Sequence, residues 1–209
     1  MQEVPVSGDT AGTALASRCT VRVFLFALVA AAVSQFVPPP VDLAGVVEAG
    51  GNPVAEAIVW IDAPGARRSG KAADAVLNQR DVQFAPRVLA VQVGTRVRFP
   101  NTDRVFHNVF SYHDGTRFDL GLYPVGAVKE VPFDRPGLSR IFCNIHPQMA
   151  AYLMVLDTPF FAVSDRNGRF TITGVPAGVH RYHAWRAGGS VLTDEINTGV
   201  DAPFVVRWP

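Results

Sequence analysis

The sequence predicts an all-β protein, a sandwich or Greek-key barrel of many short strands. Three observations carry that expectation. Runs rich in Val, Ile and Phe recur between closely spaced Gly and Pro clusters. No stretch sustains a 3.6-residue apolar period with helix caps. The turn signals fall at short intervals: Gly50-Gly51-Asn52-Pro53, Asp114-Gly115, Arg135-Pro136-Gly137 and Arg166-Asn167-Gly168. Strands are expected at 43–48, 57–62, 88–93, 96–99, 105–111, 129–133, 139–142, 151–156, 169–173, 180–185 and 204–208. Residues 63–80 are the least patterned. Their Pro64-Gly65, Arg67-Arg68-Ser69-Gly70 and Ala-rich piece read as a surface connection with room for one short helix.

Composition bounds the function. The 209 residues carry 19 Lys+Arg against 18 Asp+Glu, a formal net charge of +1. That balance argues against nucleic acid and against an anionic membrane surface as partners. At 48% hydrophobic and 18% charged residues the chain can bury a core.

The N-terminus has the pattern of a secretory signal. Arg18 and Arg22 precede the apolar run 23–33, and Ala32-Val33-Ser34 offers a cleavage site before Pro38-Pro39-Pro40. Residues 1–34 are therefore expected to be a cleaved signal peptide, with an uncleaved anchor as the other reading and a periplasmic or secreted protein as the result. The apolar run is short for a membrane span, so none is expected after processing. Of the two cysteines, Cys19 lies in the removed segment, and Cys143 is left as one thiol in an oxidising compartment. Such a thiol is buried and inert, links a dimer or binds a metal.

Its neighbours favour metal. In Phe142-Cys143-Asn144-Ile145-His146-Pro147-Gln148-Met149 a thiol, an imidazole and a thioether fall within seven residues, and Val105-Phe106-His107-Asn108 supplies a second imidazole. Two His, one Cys and a weak axial Met form the ligand set of a blue-copper electron-transfer site. Soft sulfur suits Cu(I) and imidazole suits both oxidation states, so little has to move with the electron. Alternation puts Ile141 with Cys143 on one face, and Val105 and Val109 with His107 on one face. Pro147 restricts the loop that presents His146.

Each site residue has a plainer reading. Cys143 could be a small buried hydrophobe. Zinc is the rival metal, but thioether suits it poorly. Met149 could be core packing, with Gln148 as a fallback donor. His113 reads as an exposed turn residue. His180 and His183 point to opposite faces of a strand and cannot chelate together. Met154, Trp60, Trp185 and Trp208 read as core filling.

The loop after Cys143 resembles that of the cupredoxins, in the short form seen in amicyanins. A longer match is to the cupredoxin-like group called methylamine utilisation proteins. It runs through Phe84-Ala85-Pro86, Val93-Gly94-Thr95, Phe99-Pro100-Asn101, Asp103, His107-Asn108, Phe118-Asp119-Leu120, Phe133-Asp134, Pro136-Gly137, Cys143–Pro147 and Leu156–Phe161. That group's name describes gene context, so methylamine is not read as a substrate. The resemblance implies one type 1 copper held by His107, Cys143, His146 and Met149. It implies that Asn108 ties the two ligand-bearing segments together. The outer segments, Gly45-Val46-Val47 with Trp60 and Asp165–Phe170 with Pro176-Ala177-Gly178, resemble the two halves of a transthyretin-like, carboxypeptidase-regulatory-like sandwich. The expected organisation is therefore a leader at 1–34, first outer strands at 41–62 and a surface connection at 63–78. A cupredoxin-like copper domain follows at 79–156, then the remaining outer strands at 157–209.

These readings converge on an exported electron carrier, not an enzyme, with no small-molecule substrate and a redox partner protein docking near His146. A copper-delivery protein and a non-redox β-sandwich interaction module are the alternatives.

Overall fold

The computed structural model describes residues 38–63, 74–112, 114–199 and 203–209. The predicted leader at 1–34 with Cys19, the short helix allowed within 63–80 over its stretch 64–73, and the turn residue His113 lie outside the described residues. Those described contain strands and turns and no helix. The fold is all-β.

In chain order the first strands are β1 (Val41–Ala49), β2 (Asn52–Pro53) and β3 (Ile58–Asp62). The middle of the chain gives β4 (Ala75–Val76), β5 (Asn78–Arg80), β6 (Gln83–Ala85), β7 (Val88–Gln92) and β8 (Thr95–Pro100). It continues with β9 (His107–Ser111), β10 (Phe118–Tyr123), β11 (Val128–Phe133), β12 (Gly137–Phe142) and β13 (Ala150–Leu156). The last strands are β14 (Phe161–Val163), β15 (Arg169–Val175), β16 (Val179–Trp185), β17 (Leu192–Asn197) and β18 (Phe204–Trp208).

The middle strands build a sandwich of two sheets, ordered β10-β9-β12-β13-β7 and β11-β8-β4. Alternation explains their shared core. In β8, Thr95, Val97 and Phe99 turn inward while Arg96 and Arg98 face solvent. Val97 and Phe99 share a core with Val131 and Phe133 of β11, and with Val109, Ile141, Leu153 and Val155 from the facing sheet. Cys143 and Met149 belong to the same core. Each fully buried Phe contributes about 1.5–3 kcal/mol relative to exposure.

The outer strands pair with each other in two further sheets, β15-β1-β18 with β2 on β1, and β14-β3-β16-β17. Their facing sides enclose a second core that includes Val47, Ile61, Ile172, Tyr182, Phe204 and Val206. A third cluster joins the two sandwiches: Ile58 and Trp185 from the outer strands pack with Val88, Met154 and Leu156 from the middle ones. Strand β13 links the middle core to this joining cluster, with Leu153 and Val155 turned to the former and Met154 and Leu156 to the latter.

Two expectations need correction. The described end of the 63–78 connection is not surface loop. There β4 pairs in parallel with β8, the Leu77 amide donates to Arg98 O at 2.9 Å, and the Leu77 side chain is wholly buried in the middle core. That core therefore begins before residue 79. The strand predicted at 105–111 starts only at His107, and Val105 is 41% exposed rather than sharing an inward face with His107. The reason is Asn101, whose side-chain amide binds Val105 O at 2.9 Å and holds the preceding segment in a loop.

Candidate metal centre

His107 opens β9, and Cys143 follows directly on β12. These strands are neighbours in one sheet, with Phe142 opposite Phe110. The segment 143–149 closes the β12–β13 hairpin. Within it the Met149 amide donates to His146 O at 2.9 Å, a turn with Pro147 at its second position. The ring-fixed φ of Pro147 suits that place and limits where His146 can point. The Cys143 amide donates to Met149 O at 3.4 Å across the base of the loop.

The chain thus brings together residues 36 and 39 positions apart. His107 Nδ1 and His146 Nδ1 are 3.0 Å apart. Cys143 Sγ stands 4.0 Å from His107 Nδ1 and 3.7 Å from His146 Nδ1. All three atoms lie within 4.8 Å of one another, the one such cluster among the described residues. A point equidistant from these three atoms lies about 2.1 Å from each, within the range of about 2.0–2.3 Å typical of imidazole and thiolate bonds to a first-row metal. The donor set therefore fits a soft transition metal. His107 is wholly buried, Cys143 is a buried free thiol, and His146 is half-buried. Met149 is buried in the same core as Cys143.

The second nitrogen of His107 has its own partner. Nε2 lies 2.9 Å from Asp103 Oδ2, so this proton sits between imidazole and carboxylate and Nδ1 is left as an acceptor. Asp103 Oδ2 also accepts the Val82 amide at 2.7 Å, and Oδ1 accepts the Arg104 amide at 2.7 Å. Burial opposes ionisation of this carboxyl, but those two amides and the contact with His107 outweigh it and hold the pKa down to about 2. Asn101, wholly buried, supports the same loop. Its Oδ1 accepts the Asp103 amide, and its Nδ2 donates to Val105 O and Tyr123 O. Tyr123, opposite His107 on β10, donates to Phe99 O at 3.1 Å and accepts from Gln79 Nε2. Burial, opposed by the Gln79 contact and reinforced by Cys143, raises its pKa, so the phenol stays neutral.

Asn108 does not bridge the two ligand-bearing segments with its amide nitrogen. That group donates to Asp119 Oδ1 at 2.8 Å, and Asn108 Oδ1 has no partner among the described residues. An irregularity in β10 between Asp119 and Leu122 sets the Asp119 carboxylate across from Asn108, where Gly121 N and Tyr112 Oη also donate to it. The Gly121 amide, opposed by burial and aided by Tyr112, Asn108 and Lys129, lowers the Asp119 pKa.

Asp103 and Asn101 are the supporting residues that sequence reasoning missed. The available signal was Asp103 four residues before His107. His180 and His183 stand apart from the site. His180 Nε2 contacts Pro176 O, and His183 binds Asp62 and Thr193 while stacking on Trp60.

No protein-family model and no curated protein matches this sequence. Solved structures do. A purple cupredoxin from Nitrosopumilus maritimus matches at 24% identity and TM-score 0.37, over 40% of this chain and 100% of that one. A reduced amicyanin variant matches at 21% identity and TM-score 0.36, over 46% of this chain and 86% of that one. A copper-containing nitrite reductase from Thermus scotoductus matches at 24% identity and TM-score 0.39, over 46% of this chain and 25% of that one.

Proposed function

We propose that this protein is an exported type 1 copper protein that carries single electrons. The observation that carries the reading is the approach of the His107 and His146 Nδ1 atoms and Cys143 Sγ within 4.8 Å, at the end of the middle sandwich. His107, Cys143, His146 and Met149 would hold the ion, two imidazoles and two soft sulfurs that together suit both oxidation states of copper. Bound copper supplies a one-electron couple, and the chain supplies everything else. The β9–β12 pairing and the turn at Pro147 hold the donors in one arrangement, which keeps reorganisation small when charge changes. The core around Cys143 and Met149 excludes water from the sulfur side.

His146 is the route to the surface. Around it and His107 the chain exposes apolar side chains: Ile145 is 47% exposed, Phe106 51% and Val105 41%. We take this apolar rim, with Pro147, as the docking surface for a redox partner protein, since ring-edge contact there gives the shortest path from the donor set to solvent. The apolar run at 23–33 supports export. No helix among the described residues is long and apolar enough to cross a membrane. Electron transfer without catalysis is part of the proposed reading.

The test is copper reconstitution of the leaderless protein. Stoichiometric Cu(II) should give an intense visible thiolate-to-copper band, and Cys143→Ser should abolish it. Weak, ordinary copper absorption that is unchanged by Cys143→Ser would refute the reading.

A further inference from the structure

We propose that Asp103 is a charge-bearing positioning residue for the His107 side of the centre and that it biases the site toward oxidised copper. The inference rests on the copper reading above.

The geometry is specific. His107 is wholly buried, and its Nε2 meets Asp103 Oδ2 at 2.9 Å. Asp103 is itself 9% exposed and is clamped by backbone donors on both oxygens, Val82 N and Arg104 N, each at 2.7 Å. Its own amide is fixed to Asn101 Oδ1. Among the described residues no Lys or Arg forms an ion pair with it. The Val82 amide comes from the tip of the β5–β6 hairpin, where Asp81 and Val82 have φ of 53° and 56°. A β-branched residue is strained there. The fold therefore holds an unfavourable backbone conformation at the point where the amide reaches this carboxylate.

Charge counting gives the consequence. A thiolate and a carboxylate together offset the two charges of Cu(II), leaving the buried centre neutral. The same two groups leave it with one net negative charge when the ion is Cu(I). A buried unbalanced charge is costly, so the carboxylate favours the oxidised state. The hydrogen bond acts in the same direction, since a carboxylate on Nε2 raises the basicity of Nδ1, the donor atom. A neutral acceptor in the same place would orient the ring without either effect.

Asp103→Asn tests this, because it keeps an acceptor of the same size and removes the charge. Redox titration of the copper-loaded protein with small-molecule mediators should show the preference for Cu(I) over Cu(II) rise at least tenfold, equivalent to a potential higher by about 59 mV for one electron. The visible band should remain. Asp119→Asn removes a carboxylate that does not touch His107 and should shift the ratio by much less. An unchanged ratio in Asp103→Asn, or an equal shift in both variants, overturns the proposal. Should Asp103→Asn fail to fold, nitrogen-15 NMR of the wild-type Cu(I) protein decides the matter. The His107 Nε2–H proton should be shifted downfield and protected from exchange, unlike that of His146; equal behaviour of the two rings overturns the proposal. Absence of the visible band in the wild-type protein instead removes the copper reading itself.

Discussion

Asn101 ties two backbone groups of the loop that leads into His107, the Asp103 amide and Val105 O, to Tyr123 O at the end of β10, in buried or half-buried hydrogen bonds. Asn101→Ala would leave Val105 O, Tyr123 O and the Asp103 amide without their partner. A loss of about 1–3 kcal/mol is expected, read as a lower denaturant midpoint of the metal-free protein. Asp119 gives a pH dependence. Its folded pKa lies below the ordinary carboxylate value, so its contribution to stability is complete above about pH 4 and is lost as pH falls through the lower folded value. Urea midpoints of the wild type should therefore drop between pH 6 and pH 3 by more than those of Asp119→Asn. An equal drop would contradict this assignment. The residue types Cys, His and Met are scarce, and their spacing singled out His107, Cys143, His146 and Met149 as candidates, of which the first three come together in the fold. For Asp103 the sequence offered only its place four residues before His107, because the clamp on its carboxylate comes from an amide 21 positions upstream on a separate hairpin.

At the scale of elements, close packing leaves little tolerance. A Cβ added to Gly45 on β1 would lie 2.6 Å from Phe204 O and 2.6 Å from the Phe170 ring. Gly45→Ala should therefore destabilise by about 1–3 kcal/mol, seen as a lower thermal midpoint. Phe133 on β11 is wholly buried and meets Phe118 edge-on at 6.0 Å. Phe133→Ala should cost about 3–5 kcal/mol. Strands with one polar and one apolar face, such as β8, were legible because alternation survives in the sequence. Strand β17 was missed because Thr193, Asp194 and Glu195 are consecutive and exposed, as suits the edge of its sheet. Strand β10, also at an edge, was hidden by Gly121 and by its broken register. The two-residue strand β4 has no periodicity to read, and only the burial of Leu77 shows its importance.

At the scale of the whole molecule, the described residues form two cores tied by the cluster of Ile58, Val88, Met154, Leu156 and Trp185. Alternation marks which residues of a strand turn inward. It does not say which sheet they meet, so this joint was invisible in the sequence, where Met154 read simply as core. Trp60, Trp185 and Trp208 all belong to the outer strands, while the donor cluster belongs to the middle ones. Tryptophan fluorescence and the visible copper band thus report on different sandwiches. With the joining cluster packed between the sandwiches, both signals should be lost at the same denaturant concentration; two separate midpoints would show that the sandwiches unfold independently. The most direct test of the account is anomalous diffraction at the copper edge from crystals of the copper-loaded protein. One full-occupancy site bonded to His107 Nδ1, His146 Nδ1 and Cys143 Sγ is the predicted result. Copper bound elsewhere, or held without the Cys143 sulfur, would contradict it.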